Sequence, residues 1–134
     1  PPPFSSRRRH TRYFLASRGL GDVYKRQAGR LVALERISSV ATSLGAKEVA
    51  AKALEVSGEL EVVPCVVSDR EAVDACLQFA DDHRVVVEPA CGAALALAYK
   101  GERVLQQAGN VLLIVCGGAG VSYRDLVELR KAVD

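Results

Sequence analysis

Tryptophan and methionine are absent from the 134 residues, and only 5% are aromatic although 49% are hydrophobic. A core without large rings or thioethers has to be built from alanine, valine and leucine, as is common where helices pack on a sheet. No apolar run approaches the roughly 20 residues a membrane span needs. The four cysteines include no C-x-x-C pair, and none stands at zinc spacing with either histidine. There is no P-loop lysine, no G-x-G-x-x-G, no paired carboxylates and no Ser/His/Asp arrangement. The length suits one modest domain.

Acidic residues are scarce at the start. Residues 1–27 hold seven of the 18 basic residues and one of the 16 acidic ones, a net +6, which leaves a net −4 on residues 28–134. The segment contains "SSRRRHTRY" and "GDVYKRQ". It has no amphipathic period, capping pattern or cleavage site. It reads as non-native, adapter-derived and disordered, and is set aside from the fold. An acidic remainder without interleaved aromatics disfavours nucleic acid as a partner.

The remainder alternates. "ISSVATSLGA" predicts a short helix ended by Gly45, and "KEVAAKALEV" a second ended near Gly58. "LEVVPCVV" predicts a strand, at an edge or bulge because of Pro64. "SDREAVDACLQFADDH" opens with an S-x-x-E capping box, Ser68 and Glu71, and carries an apolar stripe, so it predicts an amphipathic helix. "RVVVEPA" and "VLLIVC" predict buried strands, "CGAALALAYKGERVLQQ" one long helix, and Ser122 with Asp125 the cap of a last helix, "YRDLVELRKAV". Such alternation implies an α/β fold with a largely parallel sheet, whose ligands sit where strand ends turn into helices.

Two loops qualify, "EPACGAA" and "CGGAGVS". Gly117, Gly118 and Gly120 either bring backbone close to a ligand or merely ease the turn. Cys65, Cys76 and Cys91 have apolar neighbours and read as reduced, buried, small side chains. Cys116 is the exception. It sits at a strand end, where a neutral thiol suits a weak hydrogen bond to a heterocycle nitrogen. Glu88 faces either the crevice or water. His83 reads as a helix-ending residue favoured by the dipole.

Taken together, "ISSVATSLGAKEVAAKALE", "VVVEPACGAALALAY" and "LLIVCGGAGVS" resemble the C-terminal part of the L-serine dehydratase/L-threonine deaminase family. The resemblance covers essentially all of residues 28–134. It implies the C-terminal part of a tryptophan-synthase β-like (fold type II) large domain, a mostly parallel sheet with flanking helices, and pyridoxal 5'-phosphate as cofactor. The implied reaction is β-elimination of serine or threonine to pyruvate or 2-oxobutanoate plus ammonia, in a cytoplasmic enzyme of amino-acid catabolism and gluconeogenesis that is a homodimer at full length. By the same resemblance Cys116 meets the ring nitrogen, Gly117 and Gly118 let the ring pack close, and the carbonyls of Leu44 and Ala46 help hold a monovalent cation, potassium. The family's Schiff-base lysine and glycine phosphate loop have no counterpart in this chain, so it is expected to be a fragment that is inactive alone. Gly120 stands where the family often has asparagine. The alternative reading is a stand-alone small-ligand or nucleotide-binding α/β module without catalysis.

Overall fold

A computed structural model describes residues 13–16, 38–45, 51, 52, 55, 59 and 62–133. Its first strand, β1, is Tyr13–Ala16, and it pairs in parallel with β2, Val62–Cys65. The register sets Tyr13 against Val62 and Leu15 against Pro64. Of the segment 1–27 set aside above, only these four residues are among the described ones; the rest lies outside them. Among the described residues β2 has one neighbour, so Pro64, which has no N–H to give a second ladder, is tolerated at an edge.

The short helix predicted before Gly45 is one 3-10 turn, Thr42–Leu44, closed by the Gly45 N–H donating to the Thr42 carbonyl at 2.8 Å. Of the second predicted helix, Ala51, Lys52 and Glu55 are helical and the rest lies outside the described residues; Glu59, past the expected end near Gly58, is helical as well.

The centre of the fold is a pair of helices. Helix α1, Asp69–His83, starts at the predicted capping box: Glu71 N–H donates to Ser68 Oγ at 3.1 Å, and Ser68 N–H to Glu71 Oε2 at 2.7 Å. It ends on Arg84 at φ 60°, a left-handed position usually left to glycine. His83 closes the helix with its ring 4.5 Å from that of Phe79. Helix α2, Pro89–Tyr99, starts with proline in its first turn, where no N–H is missed. The two helices cross closely because Gly92 has no side chain. A Cβ there would lie 2.0 Å from the Ala72 carbonyl oxygen and 2.5 Å from Cys76 Sγ.

The long helix predicted from Cys91 is broken. Gly101, at φ 60°, separates α2 from a single turn, α3, Arg103–Gln106. Helix α4, Tyr123–Ala132, carries the predicted Ser122/Asp125 cap. It buries Leu126 completely, and Arg130 Nε pairs with Asp74 of α1. Full burial of one leucine contributes roughly 1.5–3 kcal/mol.

The two buried strands predicted at 85–87 and 111–116 are not strands among the described residues. Neither has regular secondary structure: a ladder needs successive backbone bonds to a neighbour, and the backbone bond joining the two stretches is that of Glu88 N–H to the Gly117 carbonyl, 3.1 Å. Their burial is one-sided. Val87 is in the core and Leu113 and Val115 pack against it, whereas Leu112 is 87% and Ile114 70% exposed. The sheet described is thus two-stranded, not the larger one the sequence implied.

Candidate functional site at a helix start and an extended end

The two loops singled out in the sequence meet. Residues 85–88 lead into α2, residues 111–118 end beside them, and the junction leaves little room. At Gly118 a Cβ would stand 2.6 Å from the Val86 carbonyl oxygen and 2.8 Å from Val87 Cα. That glycine is required by the packing of one segment on the other. Gly117 differs. Its φ is +129°, which side-chain-bearing residues rarely adopt, and a Cβ there would meet nothing within 4 Å. Cys116, just before it, is exposed. An exposed thiol and an open glycine thus lie together at the end of an apolar segment.

Three interactions hold this edge to the start of α2. The first is the Glu88 N–H bond to the Gly117 carbonyl. The other two run through Cys91, whose Sγ accepts from Cys116 N–H at 3.3 Å and donates to the Gly117 carbonyl at 3.4 Å. The Glu88 carboxylate is half-buried and does not cap its own helix; Oε2 lies 3.9 Å from where a Gly120 Cβ would be. The even choice left for Glu88 thus falls on the side of the glycine loop. Sequence reasoning missed what Cys91 does, because its partners lie 25 and 26 residues away. The signal was present as a second cysteine at the head of the other candidate loop.

The remaining thiols are packing groups. Cys76 is buried, and desolvation pushes its pKa up to about 12. Cys65 is half-buried and its pKa is also raised, first by desolvation and then by the Glu102 charge.

Leu44 is the last residue of the 3-10 turn, with an exposed side chain, and its N–H donates to the Ala41 carbonyl at 3.0 Å. Ala46, its expected partner in a cation site, lies outside the described residues. No hydrogen bond among the described residues joins Leu44 to the Cys116–Gly118 loop. No cluster of three or more His, Cys, Asp and Glu that could hold a metal occurs among the described residues, and no described helix is long and apolar enough to cross a membrane.

The open side of Gly117 with the thiol beside it fits one edge of a flat heterocycle. The described lysines do not complete such a site. Lys52 pairs with Glu55, Lys131 with Glu128, and Lys100 with Glu71 and Glu102. Lys100 follows α2 at the end opposite the loop, and 11 helical residues span about 16 Å. Lys25 and Lys47 lie outside the described residues.

A family model described as pyridoxal-phosphate dependent enzyme matches residues 4–117. The chain is 52% identical over 115 residues to a serine dehydratase-like protein of Rattus norvegicus, which covers 80% of this chain and 35% of that protein. It is 45% identical over 112 residues to the L-serine dehydratase/L-threonine deaminase of Homo sapiens, covering 78% and 34%. The structure matches that of a fungal L-serine ammonia-lyase from Rhizomucor miehei with a TM-score of 0.82 and 36% identity, over 92% of this chain and 41% of that one. The chain spans about a third of the length of the curated relatives it matches.

Proposed function

Because the chain belongs to the pyridoxal-phosphate dependent enzyme family, we propose that it is the part of an L-serine/L-threonine ammonia-lyase that carries the ring-nitrogen side of the cofactor site. The observation that carries this is the pairing of an exposed Cys116 with an open Gly117 at the end of an apolar segment. The names of the relatives supply the substrates.

Bound pyridoxal phosphate supplies an electron sink for bond breaking at the amino-acid α-carbon. Cys116 would lie on the ring-nitrogen side and could offer one weak hydrogen bond without a positive charge. A partner of that kind would leave the nitrogen unprotonated and limit the sink, which would suit β-elimination over transamination. Gly117, with no Cβ, would let the backbone approach the ring closely. Gly118 contributes indirectly, by letting the loop seat against Val86 and Val87. The overall reaction removes water from serine or threonine, and the released imine is hydrolysed to pyruvate or 2-oxobutanoate and ammonia. Covalent capture and phosphate anchoring are separate requirements, and both fall to parts of the enzyme other than the described residues.

The same reading extends to a potassium ion held in part by the Leu44 and Ala46 carbonyls, a homodimer, and a cytoplasmic enzyme of amino-acid catabolism. The non-native, adapter-derived origin assigned to residues 1–27 belongs to this proposal too.

The test is a coupled assay of pyruvate release from serine and 2-oxobutanoate release from threonine, with the full-length protein containing this sequence, before and after removal of pyridoxal phosphate. Cofactor-dependent release of both is expected, with none from the 134-residue chain alone. A full-length protein that binds the cofactor and releases neither product rejects the assignment.

A further inference from the structure

We propose that Cys91 is a positioning residue that sets the Cys116–Gly117 edge against the cofactor ring; this rests on the reading of that edge as the ring-nitrogen side of the site. In most positions a buried cysteine is a small apolar filler. Cys91 does more. Its sulfur sits between two consecutive backbone groups of the candidate loop, accepting the Cys116 N–H at 3.3 Å and donating to the Gly117 carbonyl at 3.4 Å. A thiol has one donor and can accept at the same time, so both bonds form together. Among uncharged side chains of similar size, the hydroxyls of serine and threonine can do the same.

The place of this staple matters. Cys116 N–H stands where an extended segment would give its last ladder bond, and the sulfur takes that bond in place of a neighbouring strand. Gly117, next along, holds φ at +129°. A carbonyl fixed from two sides, by Cys91 Sγ and by the Glu88 N–H, cannot rotate, and so the open face of Gly117 keeps its direction. Cys91 is itself 4% exposed and rides on α2, whose Gly92 packs directly against α1. The thiol that meets the ring is therefore aimed by a second thiol that does not touch it.

Cys76 offers a control. It is also fully buried, also cysteine, and packs one residue away against Gly92, but no hydrogen bond takes it to the loop. A merely structural role would make the two alanine variants alike.

The experiment uses the full-length holoenzyme with Cys91→Ala, Cys91→Ser, Cys76→Ala and Cys116→Ala. Pyridoxal phosphate affinity is titrated, the visible absorption band recorded, and hydrogen exchange measured on a peptide covering residues 112–118. Loss of two weak bonds predicts an affinity about five- to tenfold lower in Cys91→Ala, with a displaced band and faster exchange at Cys116. Cys91→Ser, which keeps a donor and an acceptor, stays within about twofold, as does Cys76→Ala. Equal behaviour of Cys91→Ala and Cys76→Ala overturns the proposal, and so does a folded Cys91→Ser variant that loses the cofactor as the alanine does. If Cys116→Ala shifts the band and Cys91→Ala does not, the positioning role alone fails. If Cys116→Ala changes nothing, the reading of the loop fails and the positioning role falls with it.

Discussion

The helix pair α1–α2 and the extended segment 111–118 are built from similar apolar material, yet one is closed and the other open. In the pair, alanines, Gly92 and Cys76 let two backbones approach until a single methyl at Gly92 would collide with the Ala72 carbonyl. In the segment, Leu113 and Val115 reach the core while Leu112 and Ile114 on the other side stand exposed. A helix satisfies its backbone within itself and needs one face covered. A strand of a parallel sheet needs neighbours on its edges and layers on both faces. The contrast therefore separates what this stretch of chain can complete alone from what depends on residues beyond those described.

The sharpest break of the closed region is Gly92→Val. Its Cβ would meet main-chain carbonyl and a packed sulfur, neither the free end of a flexible side chain. The expected loss in the full-length protein exceeds about 4 kcal/mol, seen as failure to express in soluble form or as a collapse of the urea midpoint. A variant with a melting curve like the parent's would mean that the crossing is looser than described.

Next in size is a pair of leucines, one from each region. Leu126→Ala empties a fully buried site and should cost about 2–5 kcal/mol by denaturant titration of the full-length protein. Leu112→Ser, at a site 87% exposed here, should change the stability of the isolated chain by no more than about 0.5 kcal/mol. In the full-length protein the same serine should cost more than about 1 kcal/mol, if the rest of the enzyme covers that face. Equal effects in the two backgrounds would show that nothing packs there.

The smallest expected effect is electrostatic. The Lys100 hydrogen bond, followed by the Ser68 N–H, holds the Glu71 carboxyl below its ordinary value. A carboxylate with a lowered folded pKa adds stability above its unfolded pKa of about 4.5 and loses it as pH falls through the folded one. The pair is largely exposed, so its contribution is screened to about 0–1 kcal/mol. Glu71→Gln should lower the melting temperature slightly at pH 7, by an amount that shrinks as pH falls through the lowered folded pKa. A loss that stays the same down the acid series would assign the effect to packing.

The closed region was legible in the sequence because its signals are local. Ser68 with Glu71 and Ser122 with Asp125 announce helix starts within four residues, and both boxes form. The break at Gly101 was not legible. "AYKGERV" reads as continuous helix until the glycine takes a positive φ. The extended segments read as strands because their composition is that of strands, but a ladder is a property of two chains of backbone, not one. At the candidate site the sequence singles out Cys116 and the glycines after it, and the structure adds a difference between the glycines: Gly118 is needed by packing and Gly117 is left open. The part of Cys91 could not be read, since a thiol bonding residues 25 and 26 positions later leaves no local pattern.

Whether Cys116 meets the cofactor ring is read most directly from the visible absorption spectrum of the full-length Cys116→Ala holoenzyme. A displaced cofactor band and lowered turnover on serine are expected in a protein that remains folded, because the ring nitrogen loses a partner worth on the order of 1 kcal/mol. A spectrum superposable on that of the parent, with unchanged turnover, would contradict that contact.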